Sequence, residues 1–222
     1  SINHNNINKT ENVLVYSTTR SGKSVFLHVF IKGASMFNTI EDVRLILFDS
    51  KRVEFNQYKN NELLLCPIIN NGDELFAKIK ELINECYKRK EAIGENDFES
   101  YRKQNNHHFP YILLVIDEYA DIANKELNNV LLELMKDGFK YGIHIILSTQ
   151  KISGWGADID FFKSFKTIIC QENYDKKETR KLIGDYVELK GSGDSLVLRD
   201  GEVTRTQGLY TSYNEDLSAK FD

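Results

Sequence analysis

The 222-residue chain carries 33 acidic and 29 basic side chains, a formal net charge of -4, and is 41% apolar and 28% charged. Those values exclude a disordered or fibrous chain, and also a protein that coats nucleic acid over a broad basic face, because such coating draws its affinity from Lys and Arg neutralising phosphates. No run approaches the roughly 18 consecutive apolar residues of a membrane span, and the three cysteines, Cys66, Cys86 and Cys170, have neither metal-ligand spacing nor the even number of a disulfide framework, so reduced thiols are expected.

The length suits one large α/β domain over residues 1–222, and a start at Ser1 rather than Met reads as a piece of a longer protein. Apolar runs at 13–16, 44–48, 111–116, 143–147 and 167–170 alternate with stretches of helical period, which predicts βαβ units. Their lack of polar alternation predicts parallel strands covered on both faces. The first run leads into Ser17-Thr18-Thr19-Arg20-Ser21-Gly22-Lys23-Ser24 and then the apolar helix start Val25, Phe26 and Leu27. Strand, loop ending in Gly-Lys-Ser, and helix make a P-loop: backbone N–H groups and the helix N-terminus cradle phosphates, Lys23 reaches the β- and γ-phosphates, and the Ser24 hydroxyl holds Mg²⁺. Ser17 stands where the usual pattern has its first glycine, which questions the loop's geometry and activity.

The second run ends at Asp49, read as a strand-end residue near the nucleotide. Residues 74–93 place Leu75, Ile79, Leu82, Ile83, Cys86 and Tyr87 on one helical face, and 96–108 read as a solvated loop. His107 and His108 within it lack any accompanying metal-ligand spacing and are taken as polar loop residues. The strand at 111–116 delivers Asp117 and Glu118 to its C-terminal end, where ligands bind in open α/β sheets. Asp117 there suits Mg²⁺, and Glu118 suits polarising an attacking water. After a helix over 126–135 carrying Leu127, Val130, Leu131 and Leu134, the strand at 143–147 ends in Ser148-Thr149-Gln150, and Gln150 is a candidate for sensing the γ-phosphate. Trp155, between two glycines, is expected to pack over the sheet edge. From Lys151 to Lys181 seven basic residues face five acidic ones, a locally basic segment in an acidic chain. Strands at 195–198 and 202–206, joined through Asp200-Gly201, predict a terminal β-hairpin.

In this order and spacing the chain resembles the FtsK/SpoIIIE family of DNA translocases along nearly its whole length. The resembling segments are Thr18-Thr19 before Ser21-Gly22-Lys23-Ser24-Val25; Asp49-Ser50-Lys51-Arg52-Val53-Glu54, with Ser50 in place of a usual Pro; Pro110-Tyr111 through Asp117-Glu118-Tyr119-Ala120-Asp121; Gly142 through Gln150; and Gly191-Ser192-Gly193-Asp194. The resemblance implies a RecA-like P-loop NTPase fold with a mainly parallel central sheet, helices on both faces and a C-terminal hairpin. It also implies ATP and Mg²⁺ as cofactors, a homohexameric ring, and double-stranded DNA moved through its channel. A cytoplasmic location follows, with no membrane contact by these residues and any membrane anchor belonging to a longer parent.

On the same basis Thr18 through Val25 bind nucleotide, Ser24 and Asp117 hold the metal, and Lys23, Glu118 and Gln150 are catalytic. Arg180 matches an arginine of the family and is the candidate for action across a subunit interface, and Lys151, Lys163 and Lys166 are candidates for DNA contact. Two departures stand out: Lys151-Ile152 replaces an expected Arg-Pro, and Phe139 stands where relatives often carry Arg. A type VII secretion ATPase acting on protein substrates is the alternative reading, and the 49–54 segment favours the DNA-moving branch.

Overall fold

The computed structural model describes residues 11–18, 22–105, 109–153, 158–172, 175–184, 186–190 and 193–208. Among them seven strands form one sheet: β1 (Val13–Tyr16), β2 (Val43–Asp49), β3 (Tyr111–Asp117), β4 (Ile143–Thr149), β5 (Thr167–Cys170), β6 (Asp194–Arg199) and β7 (Glu202–Gln207), in the spatial order β2-β3-β4-β1-β5-β6-β7. The strands β2, β3, β4, β1 and β5 run parallel, and β6 and β7 add an antiparallel arm.

Both faces of the parallel part are buried, which is why its strands read as continuous apolar runs. Val13 and Val15 of β1 join Leu27 and Ile31 of helix α1 (Lys23–Phe37) in one core. Leu14 and Tyr16 point the other way, into a core shared with Ile79 and Leu82 of α2 (Gly72–Ile93), Leu127 and Leu131 of α4 (Lys125–Asp137) and Leu182 of α6 (Lys176–Ile183). Three of these helices start at side-chain caps that satisfy orphan N–H groups: Asn71 accepts from Glu74 N, Asn124 from Leu127 N, and Asp175 from Lys177 N and Glu178 N. The hairpin forms as expected, with Asp200 at φ 52° and Gly201 at φ 82° between the paired Arg199 and Glu202.

Two expectations are corrected. Tyr87 does not face the core but is 59% exposed, while Leu75, Ile79, Leu82, Ile83 and Cys86 are buried as expected. Residues 96–108 are not simply a solvated loop, since helix α3 (Phe98–Gln104) forms within them. Asp97 caps it by accepting from Ser100 N, Phe98 is buried one turn before Arg102, and the Arg102 guanidinium lies 4.6 Å from the centre of the Tyr111 ring. A stacked arginine spaced four residues from a phenylalanine is a helical pattern whose apolar stripe contains a charge, and a search for apolar periodicity passes over it. His107 and His108 lie outside the described residues, as does Trp155. No helix among the described residues is long and apolar enough to cross a membrane.

The chain enters β4 through Gly142, whose φ of 75° is left-handed and whose missing Cβ would stand 2.2 Å from Cε1 of Phe98. Gly142→Ala is therefore expected to lower stability by about 2 kcal/mol, from overpacking and backbone strain together. Urea unfolding checks this, and a midpoint equal to that of the parent would contradict it.

Candidate functional site

The C-terminal ends of β1, β3, β4 and β5 lie along one edge of the sheet, because parallel strands present the same end to the same side. Register makes this concrete: Tyr16 pairs with both Thr149 and Cys170, while Ile116 pairs with Leu147. Strand β4 therefore sits between the strand leading to the Gly-Lys-Ser segment and the strand delivering the two carboxylates.

Lys23, the first residue of α1, bridges that gap. Its Nζ lies 2.5 Å from Asp117 Oδ1 and 3.5 Å from Glu118 Oε2, and the side chains of all three are under a tenth exposed. The end of β4 fixes the two carboxylates. Ser148 Oγ donates to Asp117 Oδ1 at 2.6 Å and accepts from Glu118 N at 3.3 Å, and the backbone N–H of Gln150 donates to Glu118 Oε1 at 2.9 Å. Glu118 itself is left-handed, φ 51° and ψ 57°, a conformation a non-glycine residue holds only where its surroundings impose it. Ser148 was not singled out from the sequence, although a serine closing an apolar strand at this edge was a visible signal.

Gly22 precedes Lys23 with φ 108°, leaving the first turn of α1 without a side-chain cap, so its N–H groups are available to an anion. The loop's entry is tied down on both sides: Ser17 N donates to Thr149 O, and Thr18 donates through both N and Oγ1 to Glu172 O. Ser17 does not have a positive φ, and so its backbone does not require the glycine usual there. Its buried hydroxyl has no hydrogen-bond partner; the same is true of Glu118 Oε2 and of Oε1 of Gln171, a residue immediately after β5 that sequence reasoning did not single out. The Gln171 amide packs against Gly22, with Nε2 3.4 Å from where a Cβ there would be. Thr19, Arg20 and Ser21 lie outside the described residues, while Ser24 and Val25 occupy the first turn of α1.

One lysine held between two carboxylates, open helix N–H groups and buried polar atoms lacking partners suit a polyanion that takes over the lysine. Asp117 and the Ser24 hydroxyl are the hard oxygen donors Mg²⁺ uses when phosphate oxygens and water complete its shell. That division of labour agrees with the lack of any cluster of three or more His, Cys, Asp or Glu fit to hold a metal among the described residues.

Asp49 serves a different purpose from the one expected. It is buried, and its carboxylate accepts from Lys51 N at 3.1 Å and Phe55 N at 3.0 Å, closing the turn after β2 rather than reaching the lysine. Arg180 is exposed on α6, its guanidinium 5.9 Å from the Tyr186 ring centre. The three DNA candidates are all exposed but are not brought together. Lys151 follows β4 at the site edge, whereas Lys166 precedes β5, whose first residue pairs with Val13 at the opposite edge, and Lys163 ends the short helix α5 (Ile159–Lys163).

A P-loop beside β4, with paired carboxylates one strand further on, defines a P-loop ATPase of RecA-like fold. The model of the FtsK/SpoIIIE family matches residues 2–151. The chain belongs to that family. The DNA translocase FtsK of Staphylococcus epidermidis is 29% identical over 229 aligned residues, covering 94% of this chain and 29% of that protein, so the chain spans under a third of this relative's length. Among solved structures, the pCW3 conjugation coupling protein TcpA with ATPγS is similar with a TM-score of 0.76 and 20% identity, over 90% of this chain and 60% of that one. The cytoplasmic domain of the type VII secretion ATPase EccC from Thermomonospora curvata has a TM-score of 0.74 and 20% identity, over 92% of this chain and 26% of that one.

Proposed function

We propose that residues 1–222 form one motor domain that hydrolyses ATP to move double-stranded DNA, working as a homohexameric ring. The observation that carries this reading is the Lys23–Asp117–Glu118 cluster at the sheet edge, in a chain of the FtsK/SpoIIIE family. In this reading Lys23 leaves Asp117 for the β- and γ-phosphates and neutralises charge as the terminal phosphoryl departs. Mg²⁺, held by Ser24 and Asp117, would supply further neutralisation of the phosphate oxygens. Glu118 orients and deprotonates the attacking water, and the Gln150 N–H on Oε1 leaves Oε2 for that role. The Gln150 side chain senses the γ-phosphate, and Arg180 acts on the nucleotide of a neighbouring subunit.

Lys151, next to the site and repeated around a ring, offers a ring of positive charge to a phosphate backbone even in a subunit of net charge -4. The resulting binding is sequence-independent and salt-sensitive. The test is steady-state phosphate release with and without duplex DNA. Stimulation by DNA of any sequence is expected, and its absence would refute the reading. Lys151→Ala is expected to weaken DNA binding about three- to tenfold at moderate salt, with ATP affinity retained.

The likeness of fold to EccC supports a second reading, an ATPase acting on protein substrates. Turnover indifferent to DNA but raised by a polypeptide would select it.

A further inference from the structure

Glu178 occupies the first turn of α6, where a carboxylate is favoured by the helix N-terminus, yet its side chain reaches well beyond its own helix. Its Oε2 accepts from the hydroxyl of Tyr16 at 2.7 Å, and its Oε1 accepts from the hydroxyl of Ser153. Tyr16 is fully buried and is the last residue of β1, one position before the loop that leads to Gly22 and Lys23. Ser153 is exposed, two residues beyond Lys151 and three beyond Gln150, in the segment that leaves β4. Arg180 lies two residues further along α6.

One carboxylate thus joins three parts: the strand end that carries the phosphate loop, the segment that carries Lys151, and the helix that carries Arg180. A charged acceptor makes stronger hydrogen bonds than a neutral one, and the Tyr16 end of this bridge is shielded from water. If nucleotide binding draws Lys23 from Asp117, the strain on β1 has a direct hydrogen-bonded route to the segment at 151–153.

We infer that Glu178 is a positioning residue that couples occupancy of the nucleotide site to the placement of the Lys151 segment. The DNA half of this inference rests on the function proposed above, while the nucleotide half does not. Tyr16→Phe removes one hydroxyl from a packed ring, and Glu178→Ala removes the bridge. Glu178→Gln keeps an acceptor of the same shape.

Two readouts are needed. In the first, trypsin cleavage after Lys151 is timed with and without ATPγS. Nucleotide is expected to change the rate in the parent and in Glu178→Gln, and to change it at least about threefold less in Tyr16→Phe and Glu178→Ala. In the second, the ratio of DNA-stimulated to basal ATPase is expected to fall by a similar factor in those two variants, with basal rate and KM for ATP unchanged. The double variant should be no worse than Glu178→Ala, since both changes break one contact.

Equal responses to nucleotide in the parent, Tyr16→Phe and Glu178→Ala would overturn the inference, as would additive losses in the double variant. A parent whose trypsin pattern responds to nucleotide but whose turnover ignores DNA would instead overturn the proposed function alone. Thermal melting of each variant separates loss of coupling from loss of fold, and coupling lost only in proportion to melting temperature would also overturn the inference.

Discussion

Lys23→Ala is expected to reduce ATP turnover at least about a hundredfold and to weaken nucleotide binding. The ammonium is the one cation found within salt-bridge distance of Asp117 and Glu118 among the described residues, and fixed charges that stabilise transferring phosphates contribute about 10²–10³ in rate. The substitution has a second consequence that a surface lysine would not have. Two carboxylates less than a tenth exposed would lose their counter-charge, so the nucleotide-free fold should also lose about 3 kcal/mol. Glu118→Gln separates these effects, because it keeps shape and removes one buried negative charge. It should bind ATP as tightly as the parent and hydrolyse it about a hundredfold more slowly. Single-turnover phosphate release and equilibrium binding of ATPγS measure the two quantities. Undiminished turnover in Lys23→Ala would rule out the assigned phosphate site, and lost binding in Glu118→Gln would make that carboxylate structural.

Arg89→Ala is expected to give the largest loss of stability away from the site, about 3–5 kcal/mol. Arg89 is 1% exposed, on α2. Its Nη1 donates to Pro110 O at 2.9 Å and Tyr141 O at 2.8 Å, its Nε donates to Glu85 Oε1 at 2.9 Å, and its guanidinium lies against the rings of Phe98 and Phe109. Pro110 immediately precedes β3 and Tyr141 closely precedes β4, so one side chain pins the starts of the two strands whose far ends hold Glu118 and Ser148. Burial pulls the Arg89 pKa below its ordinary value, opposed by the hydrogen bond and charge of Glu85. Truncation would leave two carbonyls and much of a carboxylate without a donor. Arg89→Lys should recover only part of the loss, because a single ammonium cannot reproduce a planar fork of donors. Chemical denaturation measures both, and a loss below about 1 kcal/mol for the alanine variant would show that the strand starts are held by other means.

Elements whose information is local were legible in the sequence. Strand β1, the carboxylate strand β3, the helix carrying Leu127 to Leu134 and the Asp200-Gly201 turn were all readable, because apolar period and turn chemistry depend on near neighbours. The order of Lys23, Asp117, Glu118 and Gln150 along the chain, each at the end of an apolar run or the start of a helix, was enough to place them at one sheet edge in principle. What chain order could not decide was which side chains meet. That Lys23 pairs with Asp117 across 94 positions, that Ser148 clamps both carboxylates, and that Gln171 backs Gly22 all follow from β4 lying between β1 and β3, and β5 lying on the far side of β1. The buried arginines escaped notice for a related reason: a guanidinium enters a core only where backbone carbonyls and rings converge on it, and that convergence is made by the fold. The same limit separated Lys151 from Lys166, which are near in sequence but lie at opposite ends of parallel strands, because a crossover must return the chain to the other edge before the next parallel strand can begin.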